Sequence, residues 1–297
     1  MGGISLASYG LRLTTDAARR CLDWLRSPTE DSLATLLAHP GYQAVLRHSR
    51  TLSFAPITEQ DFWRASRGEP SNLYGLRSVL DNAYQIECLV AHVELYRPNL
   101  LRHIANALLN LLDPVYWQNT GLHCIVGYDA SIGIGGQVAI NLNWPLYREN
   151  RDEIPRRLLH AAVHVAYERI HGPMYVDWLG QPGGLRRYLC TLVQKEGLAL
   201  YAATPDSPAA GPLTDADQQT LAAPARLRQR LQEFAAIIAT LERPGGDKEI
   251  DKILPIFSDQ RLAFVVGAYL FRTIAAQEGP AGVRRAAMLP ALEFIQK

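Results

Sequence analysis

Apolar residues recur every three or four positions along most of the chain, which is the pattern of helices with one buried face. In the second half, this spacing predicts helices over residues 153–171, 184–203, 214–242, 258–277 and 280–296. In the first third, it predicts one long helix from Asn72 to Tyr96, and Pro98 opens another that ends near Leu112. We therefore expect a mainly helical protein.

The pattern changes between Gly121 and Asn143, where apolar residues alternate with other residues and β-branched side chains are frequent. LHCIVGYD and QVAINLN fit two strands, and SIGIGG between them supplies a turn. The chain thus predicts an α+β fold with a small hairpin or sheet, in a single domain over 1–297. Its parts are expected to be an N-terminal helical layer, a central core and a C-terminal helical part, over 1–120, 121–203 and 204–297.

Composition narrows the possible functions. The 30 basic and 29 acidic residues nearly cancel, so no net field attracts nucleic acid or an anionic membrane, and we expect neither as a partner. The basic pair Arg156 and Arg157 is expected on a solvated helix face. No apolar run approaches the ~18 residues of a membrane span, and the N-terminus lacks a signal-peptide pattern. The default expectation is a cytoplasmic protein, unless a leader has been removed.

Two histidines lie four residues apart on the helix predicted over 153–171. His160 and His164, in LLHAAVHVAYERIHG, differ by about 40° around the helix and ~6 Å along it, so they project into a shared space. That geometry suits one metal ion. A zinc site needs a third protein ligand, and Glu196 lies on or beside the apolar face of the helix predicted over 184–203. A carboxylate buried there needs a compensating partner, which a metal ion would provide.

A pair of histidines at this spacing is a weak signal alone, because either ring can be a core residue bonded to a backbone carbonyl. Glu168 and His171 continue the same face, but His160 and His171 lie about 16 Å apart along a straight helix, too far for one ion. We expect Glu168 to support the site or to form an ion pair. His171 is expected to end the helix before Gly172.

These features together resemble the gluzincin zinc metallopeptidases, in which a helix with the motif HExxH is followed by a second helix that carries a glutamate ligand. HAAVH departs from that motif at one position, Ala161, while KEGLALYAA matches the second helix well. GQVAINLN stands where the family has a strand before the metal-binding helix. The resemblance covers about a quarter of the chain, roughly residues 121 to 203, and implies a zincin-like core.

The resemblance implies Zn²⁺ held by His160, His164 and Glu196, and hydrolysis of peptide or protein substrates by zinc-activated water. Position 161 would hold the glutamate that carries the proton from water to the leaving amine. Ala161 can transfer no proton, so this chain is expected to bind metal and to be inactive or nearly so. An introduced Glu-to-Ala substitution and a natural pseudopeptidase both account for Ala161, and the intact ligands favour the first.

The resemblance also implies a substrate strand and a group that stabilises the oxyanion. An extended substrate would pair with the strand residues Val138, Ala139, Ile140, Asn141 and Leu142. Tyr269 is the candidate oxyanion donor, and Arg272 is a candidate contact for the oxyanion or a substrate carboxylate. The alternatives are a peptide-binding protein that keeps the fold without cleaving, and a helical scaffold without metal.

Overall fold

The computed structural model describes residues 9–52, 56–71, 73, 75–174, 176–204 and 215–296. The chain divides into two compact units, Met1–Arg169 and Ile170–Lys297. The division falls in the last turn of a helix rather than in a linker, so no change of composition marks it. The predicted fold class is confirmed in the described ranges: the protein is α+β and mainly helical, with a small sheet.

The first unit holds the sheet and the helices around it. Its strands are β1 (Arg12–Thr14), β2 (Gly121–Ile125), β3 (Ser131–Ile134) and β4 (Gln137–Asn141). Its helices are α1 (Asp16–Arg26), α2 (Glu30–Leu37), α3 (Pro40–Leu52), α4 (Glu59–Ser66), α5 (Ala83–Leu111), α6 (Pro145–Glu149) and all but the last two residues of α7 (Glu153–His171).

The strand order is β1-β2-β4-β3, with β1 and β4 parallel to β2 and with β3 antiparallel to β4 at the edge. The small sheet is confirmed, but the predicted turn SIGIGG is corrected, because SIGI is itself a strand and only Gly135 and Gly136 form the turn. Both glycines have positive φ, 57° and 79°, as two-residue hairpin turns require. Ile132 and Ile134 give the stretch its strand character, since β-branched side chains pack well on a pleated surface.

Helix α7 lies directly against β3. A Cβ atom added to Gly133 would overlap the carbonyl oxygen of Ala161 and would lie 3.1 Å from the Cβ of His164. Gly133 pairs with Val138, and residues directly opposite each other share a face of the sheet. The absence of a side chain at Gly133 therefore lets the strand and the helix approach each other backbone to backbone.

The helices differ most from the prediction around a proline. Helix α5 begins at Ala83, eleven residues later than predicted, and it continues through Pro98 as one helix. Val93 and Leu100 are buried on either side of Pro98. Packing of this continuous apolar face outweighs the backbone hydrogen bond that a proline removes.

The second unit consists of helices. They are α8 (Gly184–Ala203), α9 (Asp215–Ala222), α10 (Pro224–Leu241), α11 (Ile250–Asp259), α12 (Leu262–Met288), which breaks at Gly279, and α13 (Ala291–Ile295). Helices α8 and α12 cross at two glycines. A Cβ on Gly197 would lie 2.5 Å from the carbonyl oxygen of Gly267, and a Cβ on Gly267 would overlap the carbonyl oxygen of Val193. Only glycine at both positions allows so close a crossing.

A helix that crosses a bilayer must be both long and apolar. Within the described residues, no single helix meets both conditions, although the bent pair Gly246–Asp259 and Leu262–Met288 meets them together by length and composition.

Helix α3 is capped by a histidine. The ring nitrogen Nδ1 of His39 accepts a hydrogen bond of 3.1 Å from the backbone N–H of Gly41, which satisfies one of the open donors at the helix start. The ring of His39 also meets that of His123 edge-on, with centroids 5.2 Å apart. Burial, together with the neighbouring His123 and Arg20, lowers the pKa of His39 to about 4.

This lowered pKa predicts a pH dependence of stability. The unfolded chain binds a proton at His39 below about pH 6.5, whereas the folded protein binds it only near pH 4. The free energy of unfolding should therefore fall as the pH falls through this window. His39→Asn keeps an acceptor for the Gly41 N–H without titrating, and we expect it to flatten the dependence in urea unfolding series. The exposed His103, changed to Asn, is the control, and an unchanged slope in the His39 variant would contradict the assignment.

The glycine crossing predicts a loss of stability on adding one methyl group. Gly267→Ala places a Cβ against the carbonyl oxygen of Val193, so we expect the free energy of unfolding to fall by about 1–3 kcal/mol, as for overpacked cores. Gly180→Ala is the matched control, because nothing lies within 4 Å of a Cβ there. Equal urea midpoints for both variants and the parent would show that the helices separate without cost.

Candidate metal site

The three predicted ligands are brought together. His160 and His164 lie one turn apart on α7, with ring centroids 4.5 Å apart and rings inclined by 60°. His160 is 5% exposed and Glu196, on α8, is 9% exposed. One ligand atom from each of the three side chains lies within 4.8 Å of the others. His160, His164 and Glu196 are therefore a group that could hold a metal ion.

The donor set restricts the metals that fit. Two imidazole nitrogens and one carboxylate oxygen are the ligands of several catalytic zinc sites, in which the fourth position is left to water or substrate. Imidazole also binds copper, iron and nickel, so the residues alone do not select zinc. Within the ranges that the structure describes, no other group of three or more His, Cys, Asp and Glu side chains meets the same distance criterion.

Ala161 follows the first ligand and is fully buried. Its carbonyl oxygen faces Gly133, and its side chain lies about 60° from that of His164 around an ideal helix. The residue at 161 thus belongs both to the contact between strand and helix, through its backbone, and to the surroundings of the histidines, through its Cβ.

The first turn of α7 is held by buried ion pairs that the sequence did not indicate. Glu153 is 3% exposed and lies 2.9 Å from the guanidinium of Arg156 and 3.9 Å from that of Arg157. The Arg157 side chain is only 15% exposed, so the expectation that this basic pair lies on a solvated face is wrong for Arg157. A buried carboxylate needs a partner of opposite charge, so the guanidinium of Arg157 is buried beside Glu153.

The later turns of α7 fasten the helix to other elements. The Glu168 carboxylate accepts a hydrogen bond of 2.6 Å from the backbone N–H of Gly135, so it is tied to the turn after β3. Arg169 donates to the carbonyl oxygens of Tyr116 and Gln118. His171, in the last turn, donates from Nε2 to the carbonyl oxygen of Ala287, and burial lowers its pKa.

The predicted substrate strand is corrected by the sheet order. Residues Val138, Ala139, Ile140 and Asn141 form β4, which lies between β2 and β3 and is paired on both sides, and Leu142 donates to the carbonyl oxygen of Ile125. Their backbone groups are engaged and cannot pair with a peptide. The alternation of apolar residues indicates a strand, but it does not reveal the neighbours of that strand.

The edge strand beside α7 is β3 instead. Asn141 donates its backbone N–H to Ala130 at 3.1 Å, so residues 130 and 141 are a hydrogen-bonded pair. Because such pairs alternate in antiparallel ladders, the backbone N–H and C=O groups of Ser131 and Gly133 point away from β4. The outward edge of β3 therefore begins at Ser131 and passes α7 at Gly133.

The two other predicted site residues lie half-buried on α12. Tyr269 comes two residues after Gly267, which an ideal helix turns by about 200°, so Tyr269 projects from the side of α12 opposite the crossing with α8. Burial lowers the pKa of Arg272. The oxyanion and substrate roles of both residues stay predictions.

The sequence did not indicate a role for one tyrosine on α8, the helix that carries Glu196. Tyr188 precedes Glu196 by eight residues on α8, and its pKa is raised first by burial and then by the charge of the Glu196 carboxylate. Residues eight apart differ by about 80° around a helix and by about 12 Å along it, so the spacing of the sequence did not single out Tyr188.

Comparisons with protein-family models, with curated proteins and with solved structures found no match for this chain. The carboxylate and the two imidazoles of the site are donor types that metal sites of known chemistry use.

The ligand assignment predicts stoichiometric metal binding. After zinc repletion and removal of excess, the parent chain should retain about one equivalent of zinc by elemental analysis. His160→Ala and Glu196→Gln should each weaken binding by more than about 100-fold, since even residues that only support ligands cost 10–100-fold. His103→Ala, on the exposed surface of α5, should bind like the parent. A zinc content of less than roughly a tenth of an equivalent in the parent chain would contradict the assignment of these ligands.

Proposed function

We propose that the protein is a zinc metallopeptidase of the gluzincin type whose chain, with Ala161, lacks the general base. The observation that carries the proposal is the group formed by His160, His164 and Glu196. Two histidines from adjacent turns of one helix and a glutamate from a second helix leave one tetrahedral position for water or a substrate carbonyl. The antiparallel edge strand beside the histidine-bearing helix supports a zincin-like core.

The chemistry follows from the roles of these residues. Zinc bound to the group would polarise a carbonyl and lower the pKa of bound water to about 7. His160, His164 and Glu196 would hold the ion. A carboxylate at position 161 would take the proton of the attacking water and pass it to the leaving amine. The methyl group of Ala161 can do neither, so binding is retained and hydrolysis is lost.

An extended substrate would lie along the outer edge of β3. The outward N–H and C=O groups of Ser131 and Gly133 can form main-chain hydrogen bonds with a peptide, as in strand addition. Gly133 lies at the turn of α7 that contains Ala161 and His164. A peptide paired there would pass its backbone beside the histidines, so β3 replaces residues 138–142 as the proposed substrate strand.

A second function is peptide binding without cleavage. It is favoured by Ala161 itself, which is fully buried and packed without a carboxylate. In that case the site would recognise a peptide through β3 and the metal, and no group would complete the reaction.

Restoring the base separates the two functions. Ala161→Glu should cleave members of a quenched octapeptide library with kcat/KM at least about 100-fold above Ala161→Gln, since positioned acid–base groups contribute 10²–10⁴-fold. Ala161→Gln is the matched control because its side chain has the same size but cannot take up and release a proton. Chelation, or the additional change Glu196→Gln, should abolish cleavage. Circular dichroism and zinc content must show that both variants fold and bind metal.

A folded, zinc-bound Ala161→Glu variant that cleaves no library member would exclude the peptidase. Retention of library peptides by the same zinc-bound protein would then support the binding function.

A further inference from the structure

We propose that Glu168 is a positioning residue that fixes the height of strand β3 along helix α7, and thereby places a peptide backbone beside the metal ligands. This inference rests on the proposed function. It assigns to Glu168 a task other than binding metal, although Glu168 follows His160 and His164 at the same four-residue spacing.

The geometry shows one strand held at two points on one helix. Gly133 contacts the turn that contains His164, and Gly135 donates its backbone N–H to the Glu168 carboxylate at 2.6 Å. Two strand residues span about 6.6 Å, and the four helical residues from His164 to Glu168 span about 6 Å. The strand therefore runs alongside the helix, and the two contacts set its position along the helix axis.

The two contacts are of different kinds. At Gly133 the backbones touch without any directional bond, which limits how closely the strand can approach but not where it slides. At Gly135 a carboxylate accepts from an N–H, and bonds of this charge-assisted type are short and about twice as strong as neutral ones. Glu168 is consequently the contact that determines where along α7 the strand stops.

The position of β3 matters because its outward groups belong to Ser131 and Gly133. If the turn at Gly135 moved, the N–H and C=O of Gly133 would move relative to His164. A displaced edge would weaken the main-chain hydrogen bonds that hold the peptide, and with them its binding. Substrates that pair with β3 should be affected, whereas a substrate too short to reach the strand should not.

The test compares Glu168→Gln with Glu168→Leu in the Ala161→Glu chain. Glutamine keeps an oxygen that can accept from Gly135, and leucine keeps only the volume. The substrates are the octapeptide that the restored chain cleaves best and a capped dipeptide that contains only its scissile bond. Leucine should lower kcat/KM for the octapeptide by about ten- to 100-fold, mainly through KM, with little change for the dipeptide. Glutamine should stay within a few-fold of the parent for both.

A purely structural role is separated by a matched variant. Tyr42→Phe removes the buried hydrogen bond from the Tyr42 hydroxyl to the Val126 carbonyl, which lowers stability and leaves the hydrogen bond between Glu168 and Gly135 in place. Its octapeptide kinetics should be unchanged even where its Tm falls as far as that of Glu168→Leu. Equal losses for both substrates in the leucine variant, loss of zinc, or failure of glutamine to rescue would overturn the positioning role.

A second measurement needs no cleavage. In the zinc-loaded Ala161 chain, the pooled octapeptides should protect the amides of Ser131 and Gly133 from hydrogen exchange, and Glu168→Leu should remove that protection. Protection that persists in the leucine variant, or its absence in the parent, would overturn the inference. If the Ala161→Glu chain cleaves nothing while the amides are protected, the proposed peptidase function is wrong and the positioning role of Glu168 is still supported.

Discussion

Strand β3 and helix α7 approach each other backbone to backbone at one point, because Gly133 has no side chain where it meets the carbonyl oxygen of Ala161. Any other residue there would push the strand away from the helix. The contact places the outward edge of β3 at the turn that carries His164. The position of the proposed substrate strand relative to the two candidate histidine ligands thus follows from the absence of a single Cβ atom.

The third ligand depends on a similar constraint. Glu196 precedes Gly197, whose backbone meets that of Gly267 where α8 and α12 cross. A helix held this closely can neither rotate nor slide without a clash, so the direction of the neighbouring Glu196 side chain is fixed by main-chain packing. Interiors are dense enough to transmit such constraints. Both ligand-bearing helices are therefore positioned by glycine contacts one to three residues from a ligand.

The sequence predicted the helices over 153–171 and 184–203 with the bounds that the structure shows, and it predicted the three residues that form the metal group. These features are local, because helical period and spacing on one face are properties of a short segment. It failed for β4 because SIGI, the hairpin partner of that strand, was predicted as a turn, and it did not name the partner of Glu168, whose acceptor role depends on the hairpin turn at Gly135. Strand order and hydrogen bonds to a backbone N–H are tertiary properties, and neither produces a periodic pattern in the sequence.

Residue 161 makes a structural contact through its backbone, and in the proposed function its side chain would carry the proton. Its carbonyl oxygen makes the contact with Gly133, and its Cβ lies about 60° from that of His164 around an ideal helix. A change of side chain at 161 alters neither that carbonyl group nor the three candidate ligands themselves. Under the proposed function, the strand contact therefore depends on the backbone at 161, the metal on His160, His164 and Glu196, and proton transfer on the side chain at 161.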